Sequence, residues 1–174
     1  MKENVLLVKL IRLVMCALFT ALFVVLERFL SFNVWNMRVG FAFLPLALTG
    51  TLYGPLSAAL VGACGDVLGM MLFPTGPYFP GFTLTAALTG AVFGLFLRKK
   101  QALPQITAAV LINQIALSLL LQTLWISITY GASYVALLPT RLIQCLIMIP
   151  VQFVVLLLLA KRVTGLAKRM QLVA

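Results

Sequence analysis

FPTGPYFPGFTLTA, residues 73–86, places three prolines and two glycines inside a chain that otherwise reads as membrane. Irregular backbone near membrane depth is tolerated only where it is buried in protein or lines a cavity. The stretch therefore predicts a helical bundle with a ligand cavity rather than a set of plain rods. Pro74, Pro77 and Pro80 restrict the segment, Gly76 and Gly81 supply joints, and Tyr78, Phe79 and Phe82 offer faces for a flat heterocycle.

The rest of the chain supports a membrane setting. Of its 174 residues, 63% are hydrophobic and 9% charged, and the mean hydropathy is +1.15. Soluble domains run nearer half apolar and a quarter charged. No separate extramembrane domain is expected, so residues 1–174 read as one transmembrane domain. The first apolar run is long enough to span and has no A-x-A-type site after it, so it is not read as a cleaved leader. Cys16, Cys64 and Cys145 lie in apolar runs of a chain without histidine. They read as small buried hydrophobes, not as metal ligands or disulfides.

A hydrocarbon core of about 30 Å takes roughly 20 residues of helix. Six segments are candidates: about 6–26, 41–52, 56–72, 84–97, 106–128 and 137–160. The second and fourth are short, which suits a compact all-α bundle enclosing a cavity. Gly54 and Pro55 mark a tight turn, and Pro104 starts the fifth span. Lys2, Lys9 and Arg12 lie at the start of span 1, Arg98, Lys99 and Lys100 follow span 4, and Lys161, Arg162, Lys168 and Arg169 follow span 6. By the positive-inside rule both termini face the cytoplasm. The net charge of +10 is then explained by inner loops, without nucleic acid. Arg28, Arg38 and Arg141 fall near the outer ends of spans, against that rule. Interfacial snorkelling is one reading and a functional site the other.

Three outer connections, 27–40, 73–83 and 129–136, are aromatic, cationic and amide-rich, with Trp35, Tyr130, Ser133 and Tyr134. Asp66, in GACGDVLG, is the one acid well inside a span. A lone carboxylate there is costly unless paired or hydrogen-bonded. It either pairs structurally with Arg28 or Arg141, or accepts two parallel N–H bonds from a ligand edge such as a pterin carries. Arginines around the same cavity suit an acidic tail on that ligand. Tyr78, Thr83, Trp125, Tyr134 and Arg141 complete the candidate pocket.

The pairs Gly50/Gly54, Gly65/Gly69 and Gly90/Gly94 let helices approach closely, and packing within the bundle explains most of them. Ala17 and Ala21, one turn apart on span 1, also fit a docking face for another membrane subunit. Histidine, GxSxG, a carboxylate pair, a metal set and a P-loop are all absent from the sequence. Neither catalysis nor ATP hydrolysis by this chain is expected, and no cofactor.

VLERFLSF, VGFAFLPLALTGTLYGP, GDVLGMMLFPTGPYFPGFTLTAALTG and PTRLIQ, together with Ala17-x-x-x-Ala21, give a resemblance that covers nearly the whole chain. The chain resembles the substrate-binding S components of energy-coupling factor (ECF) vitamin transporters, in their folate-specific branch. FPTGPYFPGFT is the most specific segment. The resemblance implies capture of folate or reduced folates from outside. It also implies docking, through Ala17 and Ala21, on a transmembrane coupling subunit that carries two ATPase subunits, in the plasma membrane of a prokaryote. It further implies a gate at Phe79, Pro80, Gly81 and Phe82 and a ligand contact at Arg28. The same fold carrying riboflavin, thiamine or pantothenate is the near alternative. A stand-alone facilitator, or a small membrane enzyme using Asp66 as a base, is the distant one.

Overall fold

The computed structural model describes residues 2–34, 37–74, 76–98 and 101–171, with the side chains of 2–5, 32–39 and 161–171 left aside. Trp35, Lys99, Lys100 and the side chains of Lys2, Arg38 and the basic residues after 160 therefore lie outside the described residues. Six helical rods form the bundle: α1 (Lys2–Arg28), α2 (Phe43–Tyr53), α3 (Pro55–Leu72), α4 (Pro80–Leu97), α5 (Leu103–Tyr130) and α6 (Tyr134–Gln171). Five of them are long and apolar enough to cross a membrane, and α2, with 11 residues, is shorter. Their outer faces are apolar: Leu13, Leu56, Met71, Leu95 and Leu146 are each more than 60% exposed. A soluble monomer rarely carries such a surface.

The bundle is all-helical, as expected, and a short antiparallel pair, β1 (Ser31–Val34) and β2 (Met37–Gly40), lies in the connection between α1 and α2, with Ser31 opposite Gly40 and Val34 opposite Met37. Two expectations are corrected. The fourth span is not short. Pro80 opens α4 at its first position, where a missing N–H costs nothing, so Gly81 and Phe82 are helical and the irregular loop shrinks to 73–79. Cys64 is exposed on α3, whereas Cys16 is half-buried and Cys145 buried.

The α2–α3 turn is made as its residues require. Gly54 has φ 89°, a left-handed value that favours glycine, and Pro55 begins α3. Arg12 of α1 donates to the carbonyl of Tyr53 at 3.2 Å and to Ser57 Oγ. A cation on the last carbonyls of a helix satisfies orphan acceptors and complements the helix dipole.

Helices α3 and α4 interlock most closely. A Cβ on Gly62 would strike the carbonyl of Ala86, and one on Gly90 would strike that of Ala58. Ala58 thus lies against Gly90 and Gly62 against Ala86, one turn further along each antiparallel helix. Continued by another turn, this register sets Asp66 of α3 opposite Phe82 and Thr83 of α4. Gly50 packs on Gly94, and Gly65 lies under the Phe23 ring of α1. The small-residue pairs therefore bind α1–α4 to one another. The buried core centred on Leu46, Val61, Phe93, Ile106 and Val110 fills the space between them and α5–α6. The middle of α5, Ile112–Gln122, is wound as a π-helix, with Asn113, Gln114 and Leu117 turned inward. Cys145 Sγ of α6 donates to the carbonyl of Gln114 at 3.3 Å.

Candidate ligand-binding site

At the end of the bundle where α1, α3 and α5 finish and α2, α4 and α6 begin, a cavity of about 610 Å³ opens. Pockets that enclose a drug-sized ligand run from about 300 to 1,000 Å³. Every helix contributes: Arg28 from α1, Phe43 from α2, Asp66 from α3, Phe82 from α4, Gln122 from α5 and Arg141 from α6. The loop before α4 supplies one side through Gly76, Pro77, Tyr78 and Phe79. The charged side chains on the wall are Glu27, Arg28, Asp66 and Arg141.

Asp66 is 6% exposed although it stands on a helix with a bare apolar outer face. Its carboxylate Oδ2 accepts from Thr83 Oγ1 at 2.7 Å, and Thr83 Oγ1 lies 3.2 Å from Tyr78 OH. Arg141, 5% exposed, donates from Nη1 to Gln144 Oε1 at 2.9 Å. Arg28 ends α1, and its guanidinium lies over Gly69 of α3, where a Cβ would come within 3.0 Å of Nε. The absence of a side chain at Gly69 is what lets the arginine lie flat against α3.

The aromatic wall is braced from behind. Phe79 stands edge-on to Phe82, with centroids 6.2 Å apart, and tilted against Trp125 at 5.4 Å. Trp125 Nε1 donates to Thr85 Oγ1 at 3.1 Å, and Thr85 Oγ1 donates to the carbonyl of Gly81 at 3.0 Å. Gly81 is buried, and a Cβ there would come within 2.7 Å of both the Trp125 ring and Phe79. Its φ is not positive, so it is a seat for the indole and not a conformational joint. Gly81→Val is accordingly expected to displace Phe79 and Trp125 and to change both ligand on- and off-rates by about tenfold, read by stopped-flow fluorescence. Unchanged rates would mean that this corner does not gate the cavity.

Of the residues singled out from sequence, Arg28, Asp66, Tyr78, Phe79, Phe82 and Arg141 come together on the cavity wall. Thr83 and Trp125 stand behind it, against Asp66 and Phe79. Tyr134, at the start of α6, and Pro80 and Gly81, in the first turn of α4, do not line it. Glu27, Thr85, Thr89, Gln122 and Tyr130 line it without having been singled out as ligand contacts. Thr85 and Thr89, one turn apart in an apolar helix, were the available signal. Ala17 and Ala21 do not line the cavity, and both are exposed on α1.

A multi-helix apolar bundle with a charged and aromatic cavity at one end, and with no metal-holding cluster among the described residues, has the form of a membrane protein with a site for a small molecule. Comparison with known proteins makes this specific. The family profile described as ECF-type riboflavin transporter, S component, matches residues 8–163. The folate transporter FolT of Clostridium novyi (strain NT) is 42% identical over 134 residues, 76% of this chain and 78% of the relative. FolT of Leuconostoc mesenteroides is 32% identical over 146 residues, 80% and 78% of the two chains. A crystal structure of FolT bound with folic acid superposes with a TM-score of 0.82 at 34% identity, covering 86% of this chain and 92% of that one. The chain belongs to the S components of ECF-type transporters. Its relatives are transporters and transporter components, not enzymes.

Proposed function

We propose that this chain is the folate-capturing S component of an ATP-driven ECF importer. It acts as a single unit over residues 1–174, in the plasma membrane of a prokaryote. The six helices form the transmembrane bundle, with both termini in the cytoplasm and the cavity at the outer side. The observation that carries the reading is two carboxylates, Asp66 and Glu27, two arginines and a cluster of aromatic rings around one cavity, in a chain 42% identical to a folate transporter.

The chemistry suits folate part by part. A pterin presents adjacent N–H donors along one edge, and a carboxylate accepts such a pair through parallel bonds. Asp66 has that role. Phe79 and Phe82 offer their rings to the flat head, and Tyr78 covers it. Arg28 and Arg141 answer the carboxylates or carbonyl oxygens of the ligand. Thr83, Trp125 and Tyr134 act around these contacts, and Phe79–Phe82 with Pro80 and Gly81 form the gating corner.

A riboflavin-binding S component is the second reading, because the matching profile carries that vitamin in its description. Binding to the purified chain, measured against folate, riboflavin, thiamine and pantothenate, separates the two.

Delivery inward needs a coupling subunit and two ATPase subunits. Ala17 and Ala21 fit the first of these, since both are exposed on α1 with Val14 and Leu18 beside them, 57% and 58% exposed. Small residues on such a face let a partner helix come close. Ala17→Leu combined with Ala21→Leu is expected to leave folate affinity within twofold while cutting ATP-driven uptake into proteoliposomes at least tenfold. Normal uptake by that variant would place the docking face elsewhere.

A further inference from the structure

Threonines in this bundle usually bond back to their own helix. Thr20, Thr49, Thr51, Thr85, Thr89 and Thr107 each donate to the carbonyl four residues earlier, the default for a hydroxyl in an apolar helix. Thr83 does otherwise. Its hydroxyl crosses to α3 and donates to Asp66 Oδ2 at 2.7 Å. A threonine has one proton to give. With that proton on the carboxylate, the oxygen of Thr83 accepts, and Tyr78 OH, 3.2 Å away, is the donor. The three groups thus form a directed relay, from Tyr78 in the loop through Thr83 on α4 to Asp66 on α3.

Asp66 and Tyr78 line the cavity and Thr83 does not. The interlocked backbones at Ala58–Gly90 and Gly62–Ala86 fix the register that sets Thr83 opposite Asp66. The relay is therefore held by the most closely packed pair of helices in the molecule. A carboxylate tied at Oδ2 is restrained about its last torsion, and it keeps Oδ1 and a second lone pair on Oδ2 for other donors.

We propose that Thr83 is a positioning residue. It holds the Asp66 carboxylate in the orientation that accepts the paired N–H donors of the ligand head, and it links that carboxylate to the covering loop through Tyr78. Recognition of the head group and closure of the loop are thereby coupled through one hydroxyl. The proposal rests on the reading of Asp66 as the acceptor for the ligand's donor edge.

The test is folate binding to the full-length chain in detergent, by calorimetry for affinity and stopped flow for the off-rate. Thr83→Val is expected to weaken affinity about tenfold, and Thr83→Ser, which keeps the hydroxyl, to restore it to within about threefold of the parent. Tyr78→Phe is expected to raise the off-rate. Adding Thr83→Val to Asp66→Asn is expected to weaken binding no further, because Thr83 acts through Asp66. Thr83→Ala serves in the same cycle should the valine not fold. Unchanged affinity in Thr83→Val, or a double variant that loses the full product of both single effects, overturns the positioning role. An unsubstituted chain that binds no folate overturns instead the folate reading on which it rests.

Discussion

Gly90→Val is expected to destabilise the fold severely. The position faces the carbonyl of Ala58, and a Cβ there would lie closer than any atoms can pack. The obstacle is main chain on both sides, so no side chain can swing away to make room. Overpacking of a tight core costs about 1–3 kcal/mol and occasionally more, and backbone against backbone belongs at the upper end. For a chain of this size, about 3 kcal/mol lowers Tm by roughly 10 °C. The damage reaches the cavity too, because the same register sets Asp66 against Thr83. The expected result is little monodisperse protein after extraction and no ligand binding by what remains, read by size-exclusion chromatography and thermal melting. Ala17→Val, on the exposed face of α1, is the matched control and is expected to melt within about 2 °C of the parent. A Gly90→Val variant that melts with the parent would show that α3 and α4 are not interlocked at this point.

Asp66→Asn is expected to have the largest effect on binding relative to its effect on stability. An amide of the same shape keeps an acceptor for Thr83, so the internal bond at 2.7 Å has a replacement. It loses the charge and would turn an NH₂ toward the ligand donors that the carboxylate is proposed to accept. Hydrogen bonds to a charged group are worth about 1.5–3 kcal/mol each. Loss of about 3 kcal/mol corresponds to more than 100-fold in affinity. Removal of a buried charge from an apolar setting meanwhile relieves a desolvation penalty, so Tm is expected to fall little or to rise. Isothermal titration beside a thermal melt separates the outcomes. Matching losses of affinity and melting temperature would make Asp66 a structural group.

Much of this organisation is legible in the sequence, for physical reasons that also mark where legibility stops. Long apolar runs place α1, α3, α5 and α6, because a span must satisfy its backbone by itself. The start of α4 is misread. Pro80-Gly81 looks like an interruption, yet a proline is tolerated in the first turn of a helix, and Gly81 is needed there for the Trp125 ring. The hairpin at 31–40 escapes because SFNV and MRVG are four-residue strands without the Asn-Gly or Asp-Gly turn that announces such units.

The same contrast holds at the cavity. Arg28, Asp66 and Arg141 stand out because charge in an apolar helix is expensive. Thr83 and Trp125 are legible as polar or aromatic residues near the right end of the bundle, but their places behind Asp66 and Phe79 depend on helix register. That register is set by the contacts of Gly62 and Gly90 across two helices, which no local pattern reveals. Thr85 and Thr89 are hidden for the opposite reason. Membrane helices carry many threonines that bond only to their own backbone, and these two do so while also facing the cavity.

Equilibrium binding of folate to the purified full-length chain, followed by the fluorescence of its two tryptophans, with riboflavin, thiamine and pantothenate as competitors, is the most direct test. The expected result is saturable one-to-one quenching by folate with Kd on the order of 1 µM or tighter, about −8 kcal/mol or better, that none of the other three vitamins displaces. Saturable binding of riboflavin, with no response to folate or reduced folates, would contradict it.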